Sequence, residues 1–400
     1  MYTSQIKNSI INNKIDIYES PCLVITPLFS LANYLPYRTF GHSSKISRIT
    51  VLLMCLFCIS LVFYIGNQYF KSILLISIPL ILFEFHIFHF THYSLAEMPA
   101  ITSIFLGCFF LYKSIINKQN ITIFSSAMFF TFSYLFKIQF LYIFFLVPLF
   151  FLNLIIFQKI SSKKLNIEMK TLSKHFIYMT LLLLLYVFCW YLPNKAFINH
   201  LLEYGFSSRL IESSELNVLG MAVDYLLNLK AFFFTFYKEK YILVIFLMIF
   251  PLGLYLLFSK NSSKFFKIIF LISLSWFMIE MHKFSMNYLP SRYLLSLYFP
   301  IGIIISIVSY ESWKLYVNDK NYFICFCYCT ICCFTLLSFN VYSIKTSYNS
   351  RTYDIKETNI YFERYNYNNR PIMGSWASSL ARNNKVLTLP IFEDYYNHEN

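Results

Sequence analysis

Residues 121–157 read ITIFSSAMFFTFSYLFKIQFLYIFFLVPLFFLNLIIF, and the one charged side chain in that run is Lys137. A helix needs about 20 apolar residues to cross the hydrocarbon core of a bilayer, so the run is too long for one crossing and suits two. The break is expected at Phe136-Lys137-Ile138, with spans over 121–136 and 138–157. Working outward by the same measure, further spans are expected at 48–66, 72–90, 99–116, 176–193, 241–258, 265–282, 293–310 and 321–342. Pro148, Pro251 and Pro300 fall inside these segments and are tolerable there, because neighbouring helices re-satisfy the freed backbone groups. The chain reads as an all-α polytopic membrane protein, a bundle of about ten transmembrane helices.

Composition agrees. Of 400 residues, 58% are apolar and 13% charged, where a soluble chain has about 25% charged. That excludes an ordinary cytosolic enzyme. The net charge of +14 could suggest nucleic acid, but most lysines sit between apolar runs, so no nucleic-acid partner is assigned. Their distribution reads as topology. One set of loops holds Lys71, Lys113, Lys118, the lysines at 159–174, Lys260, Lys264, Lys267, Lys314 and Lys320. The short loops of the other set hold Lys137, Lys283 and Arg292. The first set is therefore expected in the cytoplasm and the second outside, in a multi-pass protein of the cell (inner) membrane. The resulting domains are an external membrane-surface segment 1–47, a transmembrane bundle 48–342 with an external loop 194–240, and an external tail 343–400. Segment 5–40, with Pro21, Pro27 and Pro36, is amphipathic and expected to lie on the bilayer surface. Cys325, Cys327, Cys329, Cys332 and Cys333 crowd one apolar stretch and read as small fillers of a lipid-embedded helix, not as a metal cluster.

Polar residues that enter spans mark functional cavities, because an ionisable group in hydrocarbon costs several kcal/mol. The densest cluster runs from Glu84 through His86, His89, His92, Tyr93 and Glu97 to Pro99. The histidines recur every three residues and share one helix face. Metal ligation and ordinary interfacial hydrogen bonding both fit that pattern, so no cofactor is assigned and a divalent metal is left open. Glu97 stands at the mouth of a span, where a carboxylate can face both water and a lipid-borne substrate. Lys137, at an external span edge, suits a phosphate at headgroup depth or a snorkelling anchor. Arg292, in Pro290-Ser291-Arg292-Tyr293, suits bidentate phosphate recognition or an interfacial anchor.

Four short segments in this order resemble the GT-C glycosyltransferases that use polyprenyl-phosphate sugars, a superfamily with the protein O-mannosyltransferases and the aminoarabinose transferase of lipid A. They are Ser20-Pro21-Cys22-Leu23 through Phe40-Gly41, Tyr93-Ser94-Leu95-Ala96-Glu97-Met98-Pro99, Ser133-Tyr134-Leu135-Phe136-Lys137 and Ser291-Arg292-Tyr293-Leu294-Leu295. The resemblance implies a GT-C-like bundle with external amphipathic helices. It implies sugar transfer on the outer membrane face from a polyprenyl-phosphate donor to a glycan, lipid or protein acceptor. Glu97 is then the catalytic carboxylate, with Lys137, Arg292, His92 and Tyr93 at the substrate. One departure matters: the family's first helix and the acidic residue after it are expected before an aromatic such as Tyr2. A truncated and inactive chain is the corresponding expectation. A polysaccharide polymerase or ligase would want arginines in the 194–240 loop, where only Arg209 stands. A flippase or transporter would want paired broken helices in two halves, and no such repeat is evident.

Overall fold

Inside a bilayer the backbone has no water to bond to, so each crossing segment must satisfy its own N–H and C=O groups. The computed structural model meets that demand with helices. It describes residues 10, 26–41, 43, 45–54, 56–57, 60, 96–161, 165, 167–196, 198–199, 222–223, 225–230, 241–285, 291–350, 354–365, 370–373 and 388–389. The expected span 72–90, the histidines at 86, 89 and 92, Glu84 and Tyr93 lie outside the described residues.

Helix α1 covers Pro27–Phe40. The bundle proper consists of α2 (Glu97–Asn117), α3 (Asn120–Phe136), a 3-10 segment Ile138–Phe145 leading into α4 (Leu146–Ser161), and α5 (Met169–Tyr186) with a π turn Val187–Tyr191. It continues with α6 (Tyr241–Phe258), α7 (Lys264–Glu280) with a 3-10 turn Met281–Ser285, a 3-10 turn Ser291–Leu294 into α8 (Leu295–Asn318), and α9 (Phe323–Asn349). Helix α10 (Asp354–Tyr365) follows, then a two-residue parallel pairing of Ile372–Met373 with Thr388–Leu389. Among the described residues, seven helical segments are long and apolar enough to cross a membrane, and α3 is a shorter apolar helix beside them. The chain is an all-α multi-pass membrane protein.

The expected spans from 99 onward each coincide with a helix, with ends that differ where polar contacts carry the helix past the hydrocarbon. The span 176–193 begins earlier, at Met169, where Lys174 Nζ donates to Asn120 Oδ1 at 2.8 Å and staples α5 to α3. The span 293–310 runs on to Asn318 because Glu311 is buried against the start of α7, accepting from Ser263 N–H at 2.5 Å and from Ser263 Oγ at 2.8 Å. The span 321–342 continues to Asn349. The break in the 121–157 run is at Lys137, whose backbone is extended (φ −158°, ψ 112°) between α3 and the 3-10 segment. Pro148 falls in the first turn of α4, just after the 3-10 segment, where a helix tolerates proline.

Helix α8 is the hub. Its apolar span is 83% buried, against 22% for α5 with its π turn and for the α9 segment, which turn most of their side chains outward. Outward-facing Ile324, Ile331, Phe334, Phe176 and Leu185 suit contact with lipid chains. Helices α2 and α3 approach closely at Gly107. A Cβ built there would stand 2.5 Å from the Phe130 ring, and Ser126 Oγ donates to Gly107 C=O at 2.9 Å. Gly107→Ala is therefore expected to destabilise the bundle by about 1–3 kcal/mol, the usual cost of overpacking. Thermal unfolding in detergent measures it, and Phe130→Leu in the same chain should restore much of the loss. Additive effects of the two changes would refute the contact as the cause.

Candidate functional site

The two ends of the bundle differ in chemistry. At one end Lys118, the left-handed cap of α2 (φ 56°), donates to Glu168 at 2.5 Å, in an exposed pair that holds the Glu168 carboxyl below its usual range. Ser114 Oγ and His175 Nε2 lie 2.6 Å apart just inside. Helix α2 spans about 30 Å at 1.5 Å per residue, and at its other end stand the candidate site residues.

Glu97 opens α2, where the positive end of the helix dipole favours a carboxylate. The extended residue that separates α3 from the 3-10 segment is Lys137, and this corner brings its ammonium to Glu97. Lys137 Nζ donates to Glu97 Oε1 at 2.6 Å, and both side chains are 4% exposed. The start of α8 closes the other side, with the Tyr293 ring centroid 4.9 Å from Lys137 Nζ.

A second buried pair adjoins the first. Glu280 ends α7, and Lys283, one turn on, meets its Oε2 at 2.7 Å. The Glu280 carboxylate also accepts from Tyr142 Oη at 2.7 Å, Trp276 Nε1 at 3.1 Å and Ser296 Oγ at 2.6 Å. Lys283 Nζ donates to the Tyr293 carbonyl at 2.9 Å and to Ser296 Oγ. Four segments thus converge: the end of α7, the 3-10 segment after Lys137, the start of α8 and, through Lys137, the start of α2. Glu97, Lys137, Gln139, Phe140, Tyr142, Lys283 and Tyr293 line a cavity of about 30 Å³, room for a water molecule or two.

Of the residues singled out in the sequence, the structure brings Glu97 and Lys137 into direct contact. Arg292 lies in the 3-10 turn Ser291–Leu294, next in the chain to Tyr293. His92 and Tyr93 lie outside the described residues. Among the described residues no group of three or more His, Cys, Asp or Glu could hold a metal ion. The sequence reading missed Glu280 altogether and took Lys283 for an interfacial loop residue, whereas the structure buries both. A signal was present: Trp276, Glu280 and Lys283 recur at helical i,i+4 and i,i+3 spacing at the end of a span, which places them on one face.

No protein-family model matches the chain, and a sequence comparison with curated proteins gives no match. Among solved structures the chain is similar to ArnT from Cupriavidus metallidurans, in its crystal structure bound to undecaprenyl phosphate. The TM-score is 0.60 at 10% identity, over 98% of this chain and 81% of that one. A likeness at that identity concerns the path of the backbone. The fold of this chain is therefore similar to that of ArnT, an all-α multi-pass membrane bundle.

Proposed function

We propose that the chain is a membrane glycosyltransferase that takes a sugar from a polyprenyl-phosphate donor. The observation that carries this reading is the buried Glu97–Lys137 pair at one end of a GT-C-like bundle, beside a small cavity. A carboxylate and an ammonium are what such a transfer needs. The carboxylate takes the proton from the attacking hydroxyl, and the cation stands where negative charge develops on the leaving phosphate. The ArnT structure holds undecaprenyl phosphate, which supports a lipid phosphate as the group to be met here. The bundle end with this pair is the one that the lysine distribution assigns to the outer face, and Arg292, His92 and Tyr93 are the further residues proposed to bind the substrate. The acceptor is a hydroxyl on a glycan, lipid or protein.

The test is transfer of labelled sugar from polyprenyl-phosphate donor in membranes of the native cell. Glu97→Gln keeps size and hydrogen bonding but removes the base, and is expected to cut transfer by about 10²–10⁴-fold per molecule of inserted protein. A loss of only a few-fold would make Glu97 a helix-end residue and remove the chemical role.

A further inference from the structure

The two buried pairs are built differently. Lys283 directs its ammonium at three acceptors, Glu280 Oε2, the Tyr293 carbonyl and Ser296 Oγ. An ammonium has three N–H donors, so this cation is saturated and serves as scaffold. Lys137 is just as buried, yet among the described residues the one hydrogen bond of its ammonium goes to Glu97, and its other close neighbour is the π face of Tyr293. It retains donor capacity for a further anion. The adjoining cavity of about 30 Å³ takes water but not a phosphate, so an anion that reaches Lys137 must displace Glu97 or share the ammonium with it.

Charge bookkeeping then constrains the chemistry. In their ionised forms Glu97, Lys137, Glu280 and Lys283 sum to zero, and Arg292 in the proposed substrate site balances the one charge of a phosphodiester, so it is the second charge of the product that is left without a counter-charge. A phosphodiester donor adds one negative charge and the lipid phosphate product adds two. Excess negative charge in a site of low dielectric is costly.

Building on the glycosyl-transfer reading above, we infer that Glu97 and Lys137 act as a single charge switch, in which the proton taken up by Glu97 unmasks Lys137 for the departing phosphate. The acceptor oxygen bonds to the anomeric carbon, and the bond from that carbon to the phosphate oxygen breaks with its electron pair on the phosphate. The hydroxyl proton passes to the Glu97 carboxylate. The phosphate goes from one negative charge to two as Glu97 goes from one to none, so the charge of the buried site does not change. Lys137 is neutralised by Glu97 before reaction and by phosphate after it. Its attraction for the phosphate therefore grows along the reaction path, the kind of interaction that accelerates a step. Among the described residues the titratable groups around the pair are Tyr142 after α3, Glu280, His282 and Lys283 at the end of α7, and Tyr293 at the start of α8, with Arg292 next to it in the chain. Glu280 and Lys283 are engaged with each other, and among the described residues the carboxylate on Lys137 is that of Glu97.

The test is binding of undecaprenyl phosphate to the purified full chain in nanodiscs by calorimetry, for wild type, Glu97→Gln and Lys137→Ala. At pH 8 the free lipid phosphate is largely a dianion, since its second pKa is about 6. Wild type must protonate Glu97 to accept it, whereas the Glu97→Gln variant is already neutral at that position. The variant is expected to bind about tenfold to a hundredfold tighter than wild type at pH 8, the scale of a charge-assisted bond regained. The advantage should shrink as the pH falls, because wild type then comes already protonated. Wild type should also take up about one more proton per lipid bound than the variant, read from the dependence of binding enthalpy on the buffer. Equal affinities, or equal proton uptake, overturn the switch while leaving lipid-phosphate binding intact. If Glu97→Gln does not insert, wild-type proton uptake near zero at pH 8 overturns it alone. Absence of binding by wild type, with Lys137→Ala no different, overturns the glycosyl-transfer reading itself.

Discussion

Lys137→Ala is expected to weaken binding of a polyprenyl-phosphate donor by about tenfold to a hundredfold, the equivalent of one charge-assisted hydrogen bond of roughly 1.5–3 kcal/mol. The same change strips Glu97 of its cation in a place where both side chains are 4% exposed. Breaking a buried pair from one side costs about 3–5 kcal/mol, so the variant should also unfold at a lower temperature. The two effects separate in the double variant Glu97→Gln with Lys137→Met. Replacing both partners removes the stranded charge and should recover most of the stability while donor binding stays weak. Recovery of donor binding in that double variant would refute the phosphate contact. Arg292→Ala is expected to lower donor affinity in the same range, and Arg292→Lys to recover part of it, because lysine lacks the bidentate fork. Acceptor affinity should hardly move in any of these, and donor affinity unchanged in both alanine variants would return the two cations to the role of interfacial anchors.

The largest loss of stability is expected from Glu280→Ala. Its carboxylate receives Tyr142, Trp276, Ser296 and Lys283 at once, joining the end of α7 to the 3-10 segment and to the start of α8. Removing it leaves a buried ammonium without its counter-charge and polar donors without an acceptor. About 3–5 kcal/mol follows from the stranded charge, with a further roughly 1–3 kcal/mol for each donor left unsatisfied. Full replacement of these donors by water would reduce the sum, so failure to accumulate folded protein in detergent is the outcome to watch for. Glu280→Gln, which keeps an acceptor oxygen, should fall between the two. The control is Glu168→Ala at the opposite end of the bundle. Its pair with Lys118 is about half exposed on both sides, and solvent screening leaves such pairs little to contribute. Its unfolding temperature should match wild type, and a Glu280→Ala protein as stable as that control would show the buried network to be dispensable.

The contrast between these carboxylates shows what could be read in advance. The helical segments from residue 97 to the end of α9 follow from the order of amino acids alone, and for a local reason. In hydrocarbon every backbone group must be satisfied within its own segment, so a run of suitable length and polarity is a helix whatever surrounds it. The corner at Lys137 was legible on the same ground, since a lone charge in the 121–157 run has to stand at a span end. So was the need of Glu97 for a partner or a substrate, because a carboxylate at a span's mouth is costly alone. The identity of the partner was not. Glu97 and Lys137 are 40 residues apart, Tyr142 and Glu280 are 138 apart, and which span ends meet depends on the order of helices around α8. That order is decided by close approaches such as Gly107 against Phe130 and by the burial of α8. Lys283 shows the same limit from the other side: a lysine in a short loop reads as an anchor, and only packing that seals α7 against α8 turns it into a buried cation. Hydropathy records how much each segment avoids water, and it is blind to direction around the bundle axis, so the pairing of charges belongs to the way the helices pack.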